Sequence, residues 1–388
     1  MAFVFQGVAV LAGMTLLAHA AGAAQCVSFY VDKCQAPLST GVTMSYVEQG
    51  PRGGTPVIFL HGYTDSSLEF VATAAALKKR DPTLRLIALD QRGAGSTGLP
   101  DTETCRTTPA RCVTNADHVA DVVALMHAMK LEKAVLVGHS MGSVVARAVA
   151  LAHPEYAAKL VLIGTPAPEP GGTIGAAGLT GLPKDSVGGS GPLDVHEWQK
   201  TLAARGLAWP QGAFNIRLID FDPNAVADLT TYWNISTVAP EAFARALSAQ
   251  TALVSLKYWD IDPTPVTAPP ERLDTLAVPT LVLWGTQDGI MKKPSQDKLL
   301  TTLREAARRN KAMSFVWKQY GVRPLPVSGR QSDDLGHEIV WEAPEELAAD
   351  LDSFITTGQP TGDLYHTDAP ANLHRIVTEP GKAILVRN

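Results

Sequence analysis

A chain of 388 residues, 46% hydrophobic and 18% charged, has ordinary globular composition. It is long enough for one large domain with an insertion, or for two domains. A net charge of −5 gives no electrostatic case for binding nucleic acid or an anionic membrane surface.

No Asp, Glu, Lys or Arg occurs from Met1 until Asp32, and Val8 to Leu17 has the length and the Ala, Val and Leu content of a secretory apolar core. Small-residue sites follow at Ala18-His19-Ala20 and Ala21-Gly22-Ala23. The segment departs from the secretory pattern in having no Lys or Arg ahead of the apolar core. A membrane anchor requires about 20 apolar residues, and Gln6, Gly13 and His19 interrupt this stretch. Residues 1–24 are therefore expected to be a signal peptide; a retained anchor and a buried N-terminal helix are the alternatives. The mature protein is then exported, to a periplasm or the extracellular space, and has no stable membrane association once the leader is removed. The four cysteines fall into two local pairs, Cys26 with Cys34 and Cys105 with Cys112. Neither pair has Cys-X-X-Cys spacing, and the short separations favour disulfides within each pair, which suits an exported protein. Four unpaired thiols in a cytosolic protein is the alternative.

Beyond the leader, Val42 to Glu48 alternates like an edge strand and breaks at Gly50-Pro51-Arg52-Gly53-Gly54. A buried-strand run, Pro56 to Leu60, leads into His61-Gly62-Tyr63-Thr64. A helix-compatible segment, Phe70 to Lys79, precedes the strand Leu84 to Leu89, which ends in Asp90-Gln91-Arg92-Gly93-Ala94-Gly95-Ser96. After the second cysteine pair an amphipathic helix, about Asn115 to Met129, delivers the chain into the apolar run Ala134 to Val137, and Leu160 to Gly164 is one more short strand. Short apolar strands alternating with helices imply a parallel sheet covered on both faces, and right-handed crossovers make it doubly wound. The rhythm breaks across 166–276, which is Gly/Pro-rich to Gly191 and then aromatic, with Trp198, Trp209, Tyr232, Trp233 and Trp259 among others. Strand patterning returns at Pro279 to Gly285. The expected architecture is α/β: a mostly parallel, doubly wound sheet with a helical cap inserted between its strands. Residues 25–165 and 277–356 form the core, 166–276 the cap and 357–388 a C-terminal extension.

The run Ala134 to Val137 stops at Gly138-His139-Ser140-Met141-Gly142, and a small-residue helical segment follows at once. Strand, sharp turn, helix is the context that makes Gly-X-Ser-X-Gly a nucleophile elbow. A serine hydroxyl needs a base, and the base an orienting acid, in the chain order nucleophile, acid, histidine. Asp288, in a turn just past the strand Leu281 to Trp284, and His337, in a loop before the last core helix, fill those positions. Asp333 and Asp334 rival Asp288 but lie too close to the base. His61 rivals His337 but precedes the serine, and is read as shaping its loop. The backbone N–H groups of Tyr63 and Met141 are expected to form the oxyanion hole. Gly93 to Gly98 spells Gly-X-Gly-X-X-Gly, but Leu99-Pro100-Asp101 follows where a dinucleotide fold would open a helix, so it is read as loop. No cofactor or metal is expected.

With these residues in place the chain resembles the α/β-hydrolase superfamily, in its capped esterase and lactonase-like branch. The resemblance spans about Val42 to Thr356. It rests on His61-Gly62, the Asp-X-Arg-Gly-X-Gly at 90–95, the Gly-His-Ser-Met-Gly at 138–142, the Trp-Gly-X-X-Asp at 284–288 and Gly336-His337. It departs in a long spacer between Asp288 and His337, with a basic segment from about Arg304 to Lys318, and in the tail beyond Thr356. The resemblance implies hydrolysis of a carboxylic ester or lactone through an acyl-enzyme on Ser140, and the aromatic residues of the expected cap suggest a moderately large, apolar small-molecule substrate. Amide, C–C bond or perhydrolase chemistry would use the same triad, and a non-catalytic binding relative is the alternative of another class. Epoxide hydrolases and haloalkane dehalogenases of this fold carry aspartate where this chain has Ser140. Oligomeric state is left open.

Overall fold

The structure, a computed structural model, describes residues 26–29, 33–62, 66–107, 112–167, 273–285, 288, 291, 293–320, 337, 339–361 and 385–386. The expected leader, Tyr63 and almost all of the expected cap lie outside the described residues, as do Asp333 and Asp334. The strands are β1 Cys34–Pro37, β2 Thr43–Gln49, β3 Pro56–Leu60, β4 Arg85–Leu89, β5 Ala134–His139, β6 Ala157–Ile163, β7 Thr280–Gly285, β8 Phe315–Tyr320 and β9 Leu385–Val386. The helices are α1 Val71–Arg80, α2 Glu103–Thr107, α3 Asn115–Ala128, α4 Met141–Ala152, α5 Lys293–Arg309, α6 Ile339–Glu342 and α7 Pro344–Thr357, with a 3₁₀ turn Ser67–Phe70 leading into α1.

Among the described residues the strands form one sheet in the order β1-β2-β4-β3-β5-β6-β7-β8-β9. Pairing is parallel from β4 across to β8, and β1, β2 and β9 run antiparallel at the two edges. The alternation of side chains along each strand divides the apolar core in two. Ile58, Leu60, Leu136, Leu160, Leu162 and Val282 point to the face covered by α3, α4 and α5. Val57, Phe59, Val135, Val137, Val161 and Leu283 point to the face covered by α1, α6 and α7. The central strands are buried on both faces, so they read in sequence as unbroken apolar runs. Thr114 caps α3, accepting from the Asp117 amide while the Asp117 carboxylate accepts from the Thr114 amide. Proline at the first turn of α7 and Gly358 in left-handed conformation just past its end bound that helix.

One expectation is corrected. The strand expected at the edge, Val42 to Glu48, is internal: β1 pairs outside it, Cys34 opposite Tyr46 and Pro37 opposite Thr43. Within the spacer after Asp288, the basic segment Arg304 to Lys318 runs from the end of α5 into β8. Lys318 of β8 is buried, with its ammonium on Asp350 of α7 at 2.8 Å and on the Thr361 carbonyl at 2.9 Å. The extension also reaches the sheet, since Leu385 and Val386 pair with Lys318 and Trp317.

Asp350 also accepts from Tyr320 Oη and from the amide and hydroxyl of Thr361. Asp350→Ala should therefore strand a buried ammonium and cost about 3–5 kcal/mol of stability. Urea unfolding would measure it, and a loss under about 1 kcal/mol, the range of exposed ion pairs, would show that the pair is not buried as described.

Candidate active site

The chain passes from β3 to β4 on one side, then returns past β3 to place β5 on the other side. The crevice between the carboxyl ends of β3 and β5 is thus the topological switch point, where open α/β sheets bind ligands. Leu60 pairs with Gly138 across it, so His61 and Gly62 lie beside His139 and Ser140.

Ser140 adopts φ 49° and ψ −117° at the start of α4, a conformation that costs a non-glycine residue on the order of 1–3 kcal/mol. Its amide donates to the Ile163 carbonyl at 2.9 Å, and its carbonyl accepts the Ser143 hydroxyl at 2.5 Å. A Cβ on Gly138 would strike the backbone of Gly142, and one on Gly142 the carbonyl of Leu60. No side chain fits at either position. Met141, the first residue of α4, is buried, and the amides of a helix's first turn have no partner within the helix.

Asp288 and His337 come together. His337 Nδ1 lies 2.8 Å from Asp288 Oδ2, and Asp288 Oδ1 accepts the Met291 amide at 2.6 Å. A carboxylate accepts, so Nδ1 carries the proton and Nε2 presents its lone pair. Gly164, at φ +53°, makes room for the ring: a Cβ there would stand 3.0 Å from His337 Cε1. The ring lies 4.8 Å, centroid to centroid, from that of His139, the neighbour of Ser140. The described hydrogen bonds tie His337 to Asp288 and not to the Ser140 hydroxyl; such bonds commonly tighten only when substrate is bound.

His61 is fully buried and neutral, its pKa driven down to about 4 by burial. Nε2 accepts the Gln91 amide, so Nδ1–H donates to the Gly62 carbonyl at 2.8 Å. That carbonyl belongs to the peptide unit carrying the Tyr63 amide, so His61 shapes this loop. Sequence reasoning missed Glu69. Buried in the 3₁₀ turn before α1, it contacts His139 Nδ1 at 2.5 Å and accepts the Gly62 amide at 3.0 Å. The Gly93 to Gly98 turn serves Asp90: the Ser96 and Ser67 amides and the Lys33 ammonium all donate to its carboxylate. Cys26 with Cys34 and Cys105 with Cys112 stand at disulfide distance, Cα to Cα 5.3 and 5.5 Å. Among the described residues no group of three or more His, Cys, Asp or Glu is placed to hold a metal ion. No described helix is long and apolar enough to cross a membrane.

A family model for the alpha/beta hydrolase fold matches residues 55–304. The chain belongs to the α/β-hydrolase family. This hydrolase-family chain is 37% identical over 126 residues to a non-heme chloroperoxidase of Streptomyces lividans, covering 32% of the chain and 42% of that protein. It is 33% identical over 129 residues to an sn-1-specific diacylglycerol lipase of Xenopus laevis, covering 33% of the chain and 38% of the lipase. The matched segment thus spans less than half the length of these curated relatives. Among solved structures, the enol-lactonase from Burkholderia xenovorans LB400 aligns with TM-score 0.52 at 17% identity, over 83% of this chain and 100% of that one. A laboratory-evolved potato epoxide hydrolase aligns with TM-score 0.58 at 19% identity, over 84% and 99%. These structural likenesses show the fold.

Two outcomes follow for this α/β-hydrolase core. Gly142→Ala should destabilise it by at least about 1–3 kcal/mol, the usual cost of overpacking, because the obstacle is backbone; a thermal melt unchanged from wild type would contradict the close approach. Burial alone would raise the Asp90 pKa, but Lys33, Ser67 and Ser96 outweigh it and hold the carboxyl below its ordinary value. Asp90 therefore stabilises the fold above about pH 4, and that contribution is lost as pH falls through the lower folded value. The difference in urea stability between wild type and Asp90→Asn should shrink below about pH 4; a difference constant with pH would refute the linkage.

Proposed function

We propose that this chain is an exported serine hydrolase that cleaves a moderately large, apolar carboxylic ester or lactone through an acyl-enzyme on Ser140. The observation that carries the reading is the strained Ser140 at the head of α4, one residue from the ring that packs against an Asp288-anchored His337. His337 Nε2 takes the proton as Ser140 Oγ attacks the carbonyl carbon. The tetrahedral oxygen rests on the Met141 amide and, in this reading, on the Tyr63 amide; one such donor is typically worth about 10²–10³ in turnover. The imidazolium returns its proton to the departing alkoxide, which in a lactone stays tethered to the acyl group. Water then attacks the acyl-enzyme, its proton passing to His337; as the C–Oγ bond breaks the imidazolium returns that proton to Ser140 Oγ, and the acid departs. Asp288 holds Nδ1–H throughout, fixing the tautomer and stabilising the imidazolium.

Export is supported by the leader-like residues 1–24 and by the two cysteine pairs at disulfide distance. The aromatic residues of 166–276 favour an apolar acyl or alcohol group. The match to a diacylglycerol lipase agrees with ester chemistry; amide, C–C bond or perhydrolase reactions would use the same triad.

Fluorophosphonate labelling, mapped by peptide mass spectrometry, combined with turnover of a p-nitrophenyl ester series, tests the assignment. Wild type should label at Ser140 and show chain-length-dependent turnover. Ser140→Ala should lose both while keeping its melting profile, and Asp288→Asn should fall by about 10⁴ in kcat, the loss seen when the base is held in the wrong tautomer. Ester hydrolysis retained by Ser140→Ala would sink the proposal. Labelling without ester turnover would keep the nucleophile and move the chemistry to the other acyl or C–C substrates.

A further inference from the structure

His139 and Glu69 form a buried pair against the site that the hydrolytic steps above do not use. His139 Nε2 stands 2.9 Å from the main-chain carbonyl of His337, and Nδ1 stands 2.5 Å from Glu69 Oε1. Glu69 Oε2 accepts the Gly62 amide at 3.0 Å, and both side chains are about 1% exposed. A carbonyl oxygen can only accept, so His139 Nε2 carries a proton. In a neutral ring Nδ1 is then a lone pair, and a lone pair does not sit 2.5 Å from an ionised carboxylate oxygen. One further proton therefore lies between Nδ1 and Oε1, and the pair as a whole is uncharged.

We propose that Glu69 and His139 are positioning residues for the base, their shared proton being what allows His139 to hold the His337 main chain over the nucleophile; this rests on the hydrolase reading of Ser140 and His337. Asp288 fixes one edge of the His337 ring, and His139 fixes the backbone from which that ring hangs while packing against its face. Through Gly62 the same carboxyl ties the loop after β3 to the base. When the shared proton leaves, either two lone pairs face each other across 2.5 Å or the proton left on the His139 ring sits at Nδ1, facing Glu69, and Nε2 turns a lone pair onto the carbonyl. Both outcomes break the link. Among the described residues, the titratable and charged groups facing His139 include Glu69 from the turn before α1, His337 with Asp288 behind it, and the neutral His61 after β3, itself backed by the Lys33–Asp90 pair. Burial holds the Glu69 carboxyl well above its ordinary value, with the Gly62 amide opposing. Rising pH is what removes the shared proton, so the link fails in that direction.

The test is the rate of fluorophosphonate labelling of Ser140 in the full chain, followed from neutral into alkaline pH, with thermal melts on every variant. Glu69→Ala and His139→Ala should slow labelling on the order of tenfold to a hundredfold, as loss of an outer partner to a functional imidazole does. Glu69→Gln should recover most of that loss, because its amide donates to Nδ1 and its carbonyl accepts from Gly62. Having no proton to lose, it should also abolish the alkaline decline seen in wild type. A merely structural role would not remove that decline. Wild-type rates and profile in Glu69→Ala would overturn the inference while leaving the nucleophile in place. If Glu69→Ala fails to fold, Glu69→Gln decides alone, and a wild-type alkaline decline in it overturns the inference. Absence of labelling in wild type would instead refute the hydrolase reading, and this inference with it.

Discussion

The close approach of the β5–α4 turn to the end of β3 is the constraint on which the rest of the site depends. Gly142 lies so near the Leu60 carbonyl that no Cβ fits, and Gly138 faces Gly142 in the same way. That compression drives Ser140 into a backbone region costing about 1–3 kcal/mol, and it persists because several contacts determine it together. The Ser140 amide is bound to Ile163, its carbonyl to Ser143, and α4 is buried along almost its whole length between its neighbours. The serine is held out from the sheet edge by packing rather than by its own preference. The strain is therefore offset within the central sheet, not within the loop.

Burying so many ionisable groups at one sheet edge would be prohibitive if any were left unpaired. Asp90 is neutralised by Lys33, Asp288 faces the His337 Nδ1–H, and Glu69 shares a proton with His139. His61 avoids charge altogether, since burial keeps it neutral and its two nitrogens find one donor and one acceptor. The same solution recurs far from the site at Lys318 and Asp350, where it joins α7 to β8. A polar interior of this kind specifies one arrangement, because exchanging partners would strand a donor or an acceptor.

What the sequence made legible follows from how local each signal is. Ser140 is announced by its own neighbours, and Asp288 by the strand that ends just before it. The central strands were legible because burial on both faces leaves them unbroken runs of Val, Ile and Leu. Glu69 was invisible: its partner His139 is 70 residues away, and a lone glutamate near an amphipathic segment looks like a solvated face. β8 was missed because Lys318 and Gln319 break its apolar run, and only the fold supplies Asp350 to bury the lysine. β1 escaped for a related reason, being four residues long and ending in proline, as an edge strand can.

The sheet's register explains why so much of the polar network converges on His337. Hydrogen bonding continues past the strand ends, from Ser140 to Ile163 and from Gly164 to Leu283. Ser140, the seat for His337 and the start of the Asp288 turn are therefore placed by neighbouring strands in fixed register. His337 has no such placement, because it comes from the segment ahead of α6 rather than from a described strand. Its position must be imposed from outside. Asp288 grips its ring, His139 grips its carbonyl, and Gly164 leaves a gap of the right depth beneath it. A side chain outside any described strand needs more tethers than one that follows directly from a strand.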